Sequence, residues 1–158
     1  MICFSRIASL LGAALVLAAG PVDAERAYTP EDIDRVKGVS DPQLSPAGDW
    51  VAYVLSESCY DSNRTTSDVW LVPADGGAEP RRLTRRGLHN DTPRWSSDGG
   101  LLGFISDRDA ELGRQVYVLP FDRPGEARRV TDFPGGVSDF AFGPDDGFIV
   151  FAARVYPD

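Results

Sequence analysis

Behind an apolar opening stretch, hydrophobic residues come in runs of four to six. Each run is entered through a polar turn and met again about fifty residues later. Residues 50–55, 101–106 and 148–153 are three such runs, behind the turns Ser45-Pro46-Ala47-Gly48, Ser96-Ser97-Asp98-Gly99-Gly100 and Gly143-Pro144-Asp145-Asp146-Gly147. Proline at the second turn position and glycine where positive φ is needed make these tight turns. An apolar run this short and this unbroken predicts a strand covered on both faces. Ahead of each turn a shorter strand is expected, at residues 42–44, 92–95 and 140–142. A third strand closing on proline follows at residues 68–73 and 115–120, where Trp70-Leu71-Val72-Pro73 matches Tyr117-Val118-Leu119-Pro120. A fourth is expected at residues 81–84 and 128–131. Helical spacing shows in one place: Thr29-Pro30-Glu31-Asp32 offers a cap, a first-turn proline and two acids, Ile33 and Val36 share a face, and Gly38 stops the helix.

The equivalent turn residues Ser45, Ser96 and Gly143 lie 51 and 47 residues apart. A period of about 40 to 50 residues with four short strands per unit indicates β-propeller blades. The fold class is therefore all-β: an incomplete propeller of two and a half four-stranded blades after a short N-terminal helix. The expected divisions are a signal peptide at 1–24, the capped helix at 25–38 and a partial propeller at 39–158. Within it the first blade spans about 39–86, the second about 87–134, and the third begins at about 135–158. Closed propellers have typically four to eight blades, so the chain reads as a fragment with bare blade faces rather than as a complete small β-sandwich.

Composition refines this picture. One positive charge in residues 1–6, an Ala- and Leu-rich run at 7–19, the break Gly20-Pro21 and the small-residue pattern Val22-Asp23-Ala24 describe a cleavable secretory signal. Its apolar run falls short of the roughly 20 residues that span a bilayer, so no membrane attachment is expected after cleavage, and the mature chain is expected to be secreted or periplasmic. Cys3 leaves with the signal and Cys59 stays without an internal disulfide partner. The net charge of −8 argues against nucleic acid as a partner, because phosphate binding needs a basic face.

The passage from signal through Tyr28-Thr29-Pro30-Glu31-Asp32-Ile33 to Val39-Ser40-Asp41-Pro42-Gln43-Leu44-Ser45-Pro46 resembles one family. So do Ser67-Asp68-Val69-Trp70-Leu71-Val72-Pro73, Gly76-Gly77-Ala78-Glu79-Pro80-Arg81-Arg82-Leu83-Thr84 and Phe104-Ile105-Ser106-Asp107-Arg108-Asp109. Together they resemble the N-terminal propeller of secreted prolyl-oligopeptidase-family serine peptidases, the dipeptidyl and acylaminoacyl peptidase-like group. That resemblance implies a seven- or eight-bladed propeller that gates access of peptides to an α/β-hydrolase domain with a Ser–Asp–His triad. Its partners would be peptide substrates in the full-length protein, the missing blades and the hydrolase domain. The alternative is a binding module like the periplasmic propeller of the Tol-Pal system, which shares the blade phrases but places a small α/β domain before them.

No residue is assigned a catalytic, cofactor-binding or metal-binding role, and no cofactor is expected. There is no Gly-x-Ser-x-Gly nucleophile elbow, so this chain alone should be inactive. His89-Asn90-Asp91 has the residue types of a base with its carboxylate but is read as a surface loop. Asp107-Arg108-Asp109 with Glu111 lacks the alternating ligands of a calcium loop and is read as a charged hairpin tip. Arg81-Arg82, Arg85-Arg86 and Arg128-Arg129 are read as charges that protect an outer edge strand. Trp50, Trp70, Trp95 and Tyr117 are core candidates, and Ser45, Ser96, Ser97 and Asp98 are turn formers.

Overall fold

The computed structural model describes Thr29, Asp32 and residues 35–155. The expected signal peptide and most of the expected helix lie outside the described residues. Strands β1 (Lys37–Leu44), β2 (Trp50–Cys59), β3 (Arg64–Pro73) and β4 (Arg81–Arg82) form one antiparallel sheet in chain order. Strands β5 (Asn90–Trp95), β6 (Leu101–Ser106), β7 (Gln115–Pro120) and β8 (Arg128–Arg129) form a second, again in order. Strands β9 (Val137–Phe142) and β10 (Ile149–Ala153) form a two-stranded third. Two blades and the opening of another are what the repeat anticipates.

The turn phrase closes each first hairpin in the same way. The Ser45 amide donates to Trp50 O at 2.8 Å and the Ser96 amide to Leu101 O at 3.0 Å; the Gly143 amide donates to Phe148 O at 2.9 Å. The serine hydroxyls then accept from the amides of Trp50 and Leu101 and donate to Asp49 and Asp98. Glycine fills the left-handed position of the first two turns, Gly48 at φ 77° and Gly99 at φ 74°. The third turn puts Asp146 there at φ 55°, and its carboxylate accepts from the Ser97 amide and hydroxyl in the neighbouring blade.

The apolar runs of β2 and β6 place alternate residues on opposite faces. Ala52, Val69 and Leu71 of the first sheet meet Leu102, Phe104 and Tyr117 of the second in one buried cluster. Ile105 and Val116, on the other face of the second sheet, meet Val137 and Phe140 of the third. Gly103 belongs to that second interface: a Cβ there would lie 2.7 Å from the Phe140 ring, so only glycine lets the ring reach the strand. The second blade is thus covered on both faces, as its unbroken run requires.

Strand extents depart from the sequence reading. Strand β1 begins at Lys37, so Lys37 and Gly38 belong to the sheet and not to a helix. Residues 57–59 and 64–66, which lie outside the strands expected from hydropathy, extend β2 and β3 into a long hairpin. Ladder hydrogen bonds hold them there, helped by a Ser58–Thr65 hydroxyl pair at 3.1 Å and a Lys37–Glu57 ion pair at 2.6 Å. Conversely, β4 and β8 stop at their arginine pairs, because Thr84 and Thr131 turn inward to bond the preceding strand.

Candidate functional site

In a propeller the first strand of each blade is innermost and faces the central axis. Here β1, β5 and β9 lie side by side in that role. In both β1 and β5 one extra residue bulges before the turn, between Ser40 and Gln43 and between Asp91 and Arg94. The bulges sit at Asp41-Pro42 and Thr92-Pro93, with Asp41 at φ 47° and Thr92 at φ 54°. A bulge re-aims the side chains around it. Arg94 consequently reaches out of its own blade: Nη1 donates to the Asp41 carboxylate at 2.8 and 3.1 Å, and Nη2 lies 3.7 Å from Asp139. One half-buried guanidinium so spans the innermost strands of three successive sheets. The Trp95 indole adds a second tie, donating to Gln43 O at 3.1 Å.

The residues singled out in sequence fall into distinct places. His89 pairs with Asp107 and not with its neighbour Asp91: Nδ1 lies 2.8 Å from Asp107 Oδ2. Burial pushes the Asp107 carboxyl up, but hydrogen bonds from the His89 amide and ring and the Leu88 amide outweigh it, and the net shift is downward. The Ser67 amide donates to Leu88 O, so the His89 loop stitches the first blade to the second. Asp91 instead pairs with Arg114.

Asp107-Arg108-Asp109 does open the connection between β6 and β7, with Asp109 exposed, and Arg108 folds back over the sheet. Phe104 and Tyr117 are cross-strand partners, and Arg108 lies over both rings, 5.0 and 4.4 Å from their centroids. Asp109 accepts the Tyr117 hydroxyl at 2.6 Å. Burial, with that carboxylate beside it, pushes the Tyr117 phenol up to about 12. Glu111 sits in a short 3-10 turn, Ala110–Leu112. Among the described residues no three His, Cys, Asp or Glu side chains converge as metal ligands.

The arginine pairs do more than guard an edge. Arg82 turns in to the buried Asp68, and Arg129 lies 3.6 Å from Asp109. Trp50 and Trp95 flank Phe121 edge-on, with centroids 6.0 and 4.7 Å away. Trp70 is partly exposed, and Cys59 is exposed near the tip of the long hairpin.

Sequence reasoning missed the polar anchor inside each blade. Asp68 Oδ1 accepts from the Thr84 hydroxyl at 2.8 Å and from Asn90 at 3.2 Å, while Thr84 Oγ1 accepts from the Val69 amide. Gln115, Thr131 and the Val116 amide repeat the device one blade later. The signal was available, since both pairs are separated by 16 residues.

Two stacked four-stranded sheets, their innermost strands tied by Arg94, are a fold that can be set beside known proteins. No family model matches the chain. It is 38% identical over 122 residues to an uncharacterized peptidase, YuxL, of Bacillus subtilis, a match covering 77% of this chain and 18% of the relative. It is 27% identical over 127 residues to dipeptidyl-peptidase 5 of Porphyromonas endodontalis, covering 80% and 18%. The β-propeller domain of the Trilobed protease from Pyrococcus furiosus superposes with a TM-score of 0.59 at 17% identity, over 75% of this chain and 34% of that one. The chain is thus similar in sequence to a segment of peptidases and similar in fold to a protease's β-propeller domain. It spans about 18% of the length of these curated relatives.

Proposed function

We propose that these blades are part of the propeller of a secreted or periplasmic serine peptidase, and that they limit access of substrates to its catalytic domain. The observation that carries the reading is the 38% identity over 122 residues to a peptidase, in a segment that folds as stacked blades. The Arg94 bridge supports the gating role. A propeller whose innermost strands are cross-tied holds its axial opening at a fixed width, which favours short, unfolded peptides over folded proteins. The remaining blades and an α/β-hydrolase domain would be its structural partners, and peptides its substrates.

A chimera tests this. The matched segment of the Bacillus subtilis relative is replaced by residues 37–153 of this chain, and hydrolysis of peptidyl chromogenic substrates is compared with cleavage of a folded protein. The reading expects short peptides to be hydrolysed by the chimera, the folded protein to be spared, and the 158-residue chain alone to be inert. Peptide hydrolysis by the chain alone, or cleavage of the folded protein by the chimera, contradicts it.

A further inference from the structure

Where the segment after β4 meets the second blade, an open-mouthed cavity of about 230 Å³ lies between the sheets. Leu83, Leu119 and Phe104 give it apolar walls, and partly buried Arg108 with exposed Arg85 and Arg86 completes the lining. Arg108 is fixed in place. It lies over Phe104 and Tyr117, and its Nε donates to Ser106 Oγ at 3.0 Å; that hydroxyl in turn donates to Asn90 Oδ1 at 2.7 Å. Ion pairs elsewhere occupy Arg82, Arg94, Arg114 and Arg129. Among the described residues, none of the three cavity arginines has a carboxylate within ion-pair distance.

Arg64, Arg81, Arg128 and Arg154 also lack an ion pair among the described residues, but only Arg85, Arg86 and Arg108 share the lining of this one cavity, in a chain with 24 acidic and 16 basic residues. Burial first, and the charge of Arg86 as well, pull the Arg108 guanidinium below its ordinary pKa, opposed by Tyr117 and Asp109. Like charges that act on one another across a partly apolar cavity, as Arg86 does on Arg108, are relieved when an anion sits between them. Coulombic attraction strengthens as water is excluded, and guanidinium forks engage planar or tetrahedral oxyanions two bonds at a time. Exposed Glu126 at the rim opposes an anion, one carboxylate against three guanidiniums.

We propose that this cavity between the first and second blades binds a small multivalent oxyanion through Arg85, Arg86 and Arg108. Inorganic phosphate and a compact tricarboxylate share that chemistry.

Calorimetric titration of the 158-residue chain with phosphate, and separately with citrate, tests the proposal at low ionic strength. Saturable one-to-one binding of either anion is expected, and the tighter one names the source. The double substitution Arg85→Gln/Arg86→Gln should weaken binding at least about tenfold, since two charge-assisted donors are lost. Arg85→Lys/Arg86→Lys should fall between, keeping charge without the fork. Arg123→Gln, on an exposed arginine outside the cavity, should leave binding unchanged. Absence of saturable binding by both anions, or an equal loss in Arg123→Gln, overturns the site. Should the double variant fail to fold, amide shift changes in the wild-type chain decide. Changes confined to residues 83–86 and 104–108 support the proposal, and changes spread over other arginine-bearing segments contradict it.

Discussion

Thr84 and Tyr117 show how single side chains fix these blades. Thr84 is buried, donates its hydroxyl hydrogen bond to Asp68 and accepts one from the Val69 amide, so it closes the polar end of the first sheet. Thr84→Val keeps the shape but leaves a buried carboxylate and a buried amide each short of a partner. The expected cost is about 1–3 kcal/mol, read as a lower urea midpoint at unchanged slope. Tyr117 supplies a pH signature. Its phenol is raised from 10.0 to about 12, first by burial and then by the hydrogen bond to Asp109. The neutral form is thus favoured by the fold; that stability is complete below pH 10 and lost as pH rises through about 12. The stability gap between wild type and Tyr117→Phe should shrink between pH 10 and 12, and a constant gap would refute the assignment. Neither role was legible residue by residue. Thr84 reads as one more polar edge residue until Thr131 recurs in the same relation to Gln115. The platform under Arg108 exists only once register pairs Phe104 with Tyr117.

At the scale of elements, strand order and turns were legible because they depend on local chemistry. Gly48 and Gly99 mark positive φ, and apolar runs mark strands buried on both sides. Strand lengths were not, because residues 57–59 and 64–66 are held by ladder hydrogen bonds that leave no hydropathy signal. The bulges at Asp41-Pro42 and Thr92-Pro93 were likewise invisible, and they are what turns Arg94 toward both neighbouring blades. Gly103 is the element-level prediction. In sequence it looks like a flaw in an apolar run; in the structure it is the seat of Phe140. Gly103→Ala should destabilise by about 1–3 kcal/mol through overpacking, seen as a lower thermal midpoint. Phe140→Leu in the same background should recover part of the loss, since it removes the ring the new methyl meets.

Across the whole molecule the three sheets are unequally covered. Leu102 and Phe104 on the second blade are 0% and 1% exposed. On the first, Val51 and Tyr53 hold the equivalent places and are only partly buried, and nearby Val39 and Leu44 are 66% and 60% exposed. Val150 and Phe151 on β10 are open as well, at 60% and 40%. Such faces suit blades that lean on further blades, in keeping with a chain that spans about 18% of its relatives. The repeat made this much readable in advance, because a blade cannot bury both faces alone. Amide hydrogen exchange tests the blade-by-blade account most directly, since local opening follows the cover over each strand. In the isolated chain, β6 and β7 should exchange slowest, with β2, β3, β9 and β10 markedly faster. Protection of β2 and β3 equal to or greater than that of β6 and β7 would contradict it.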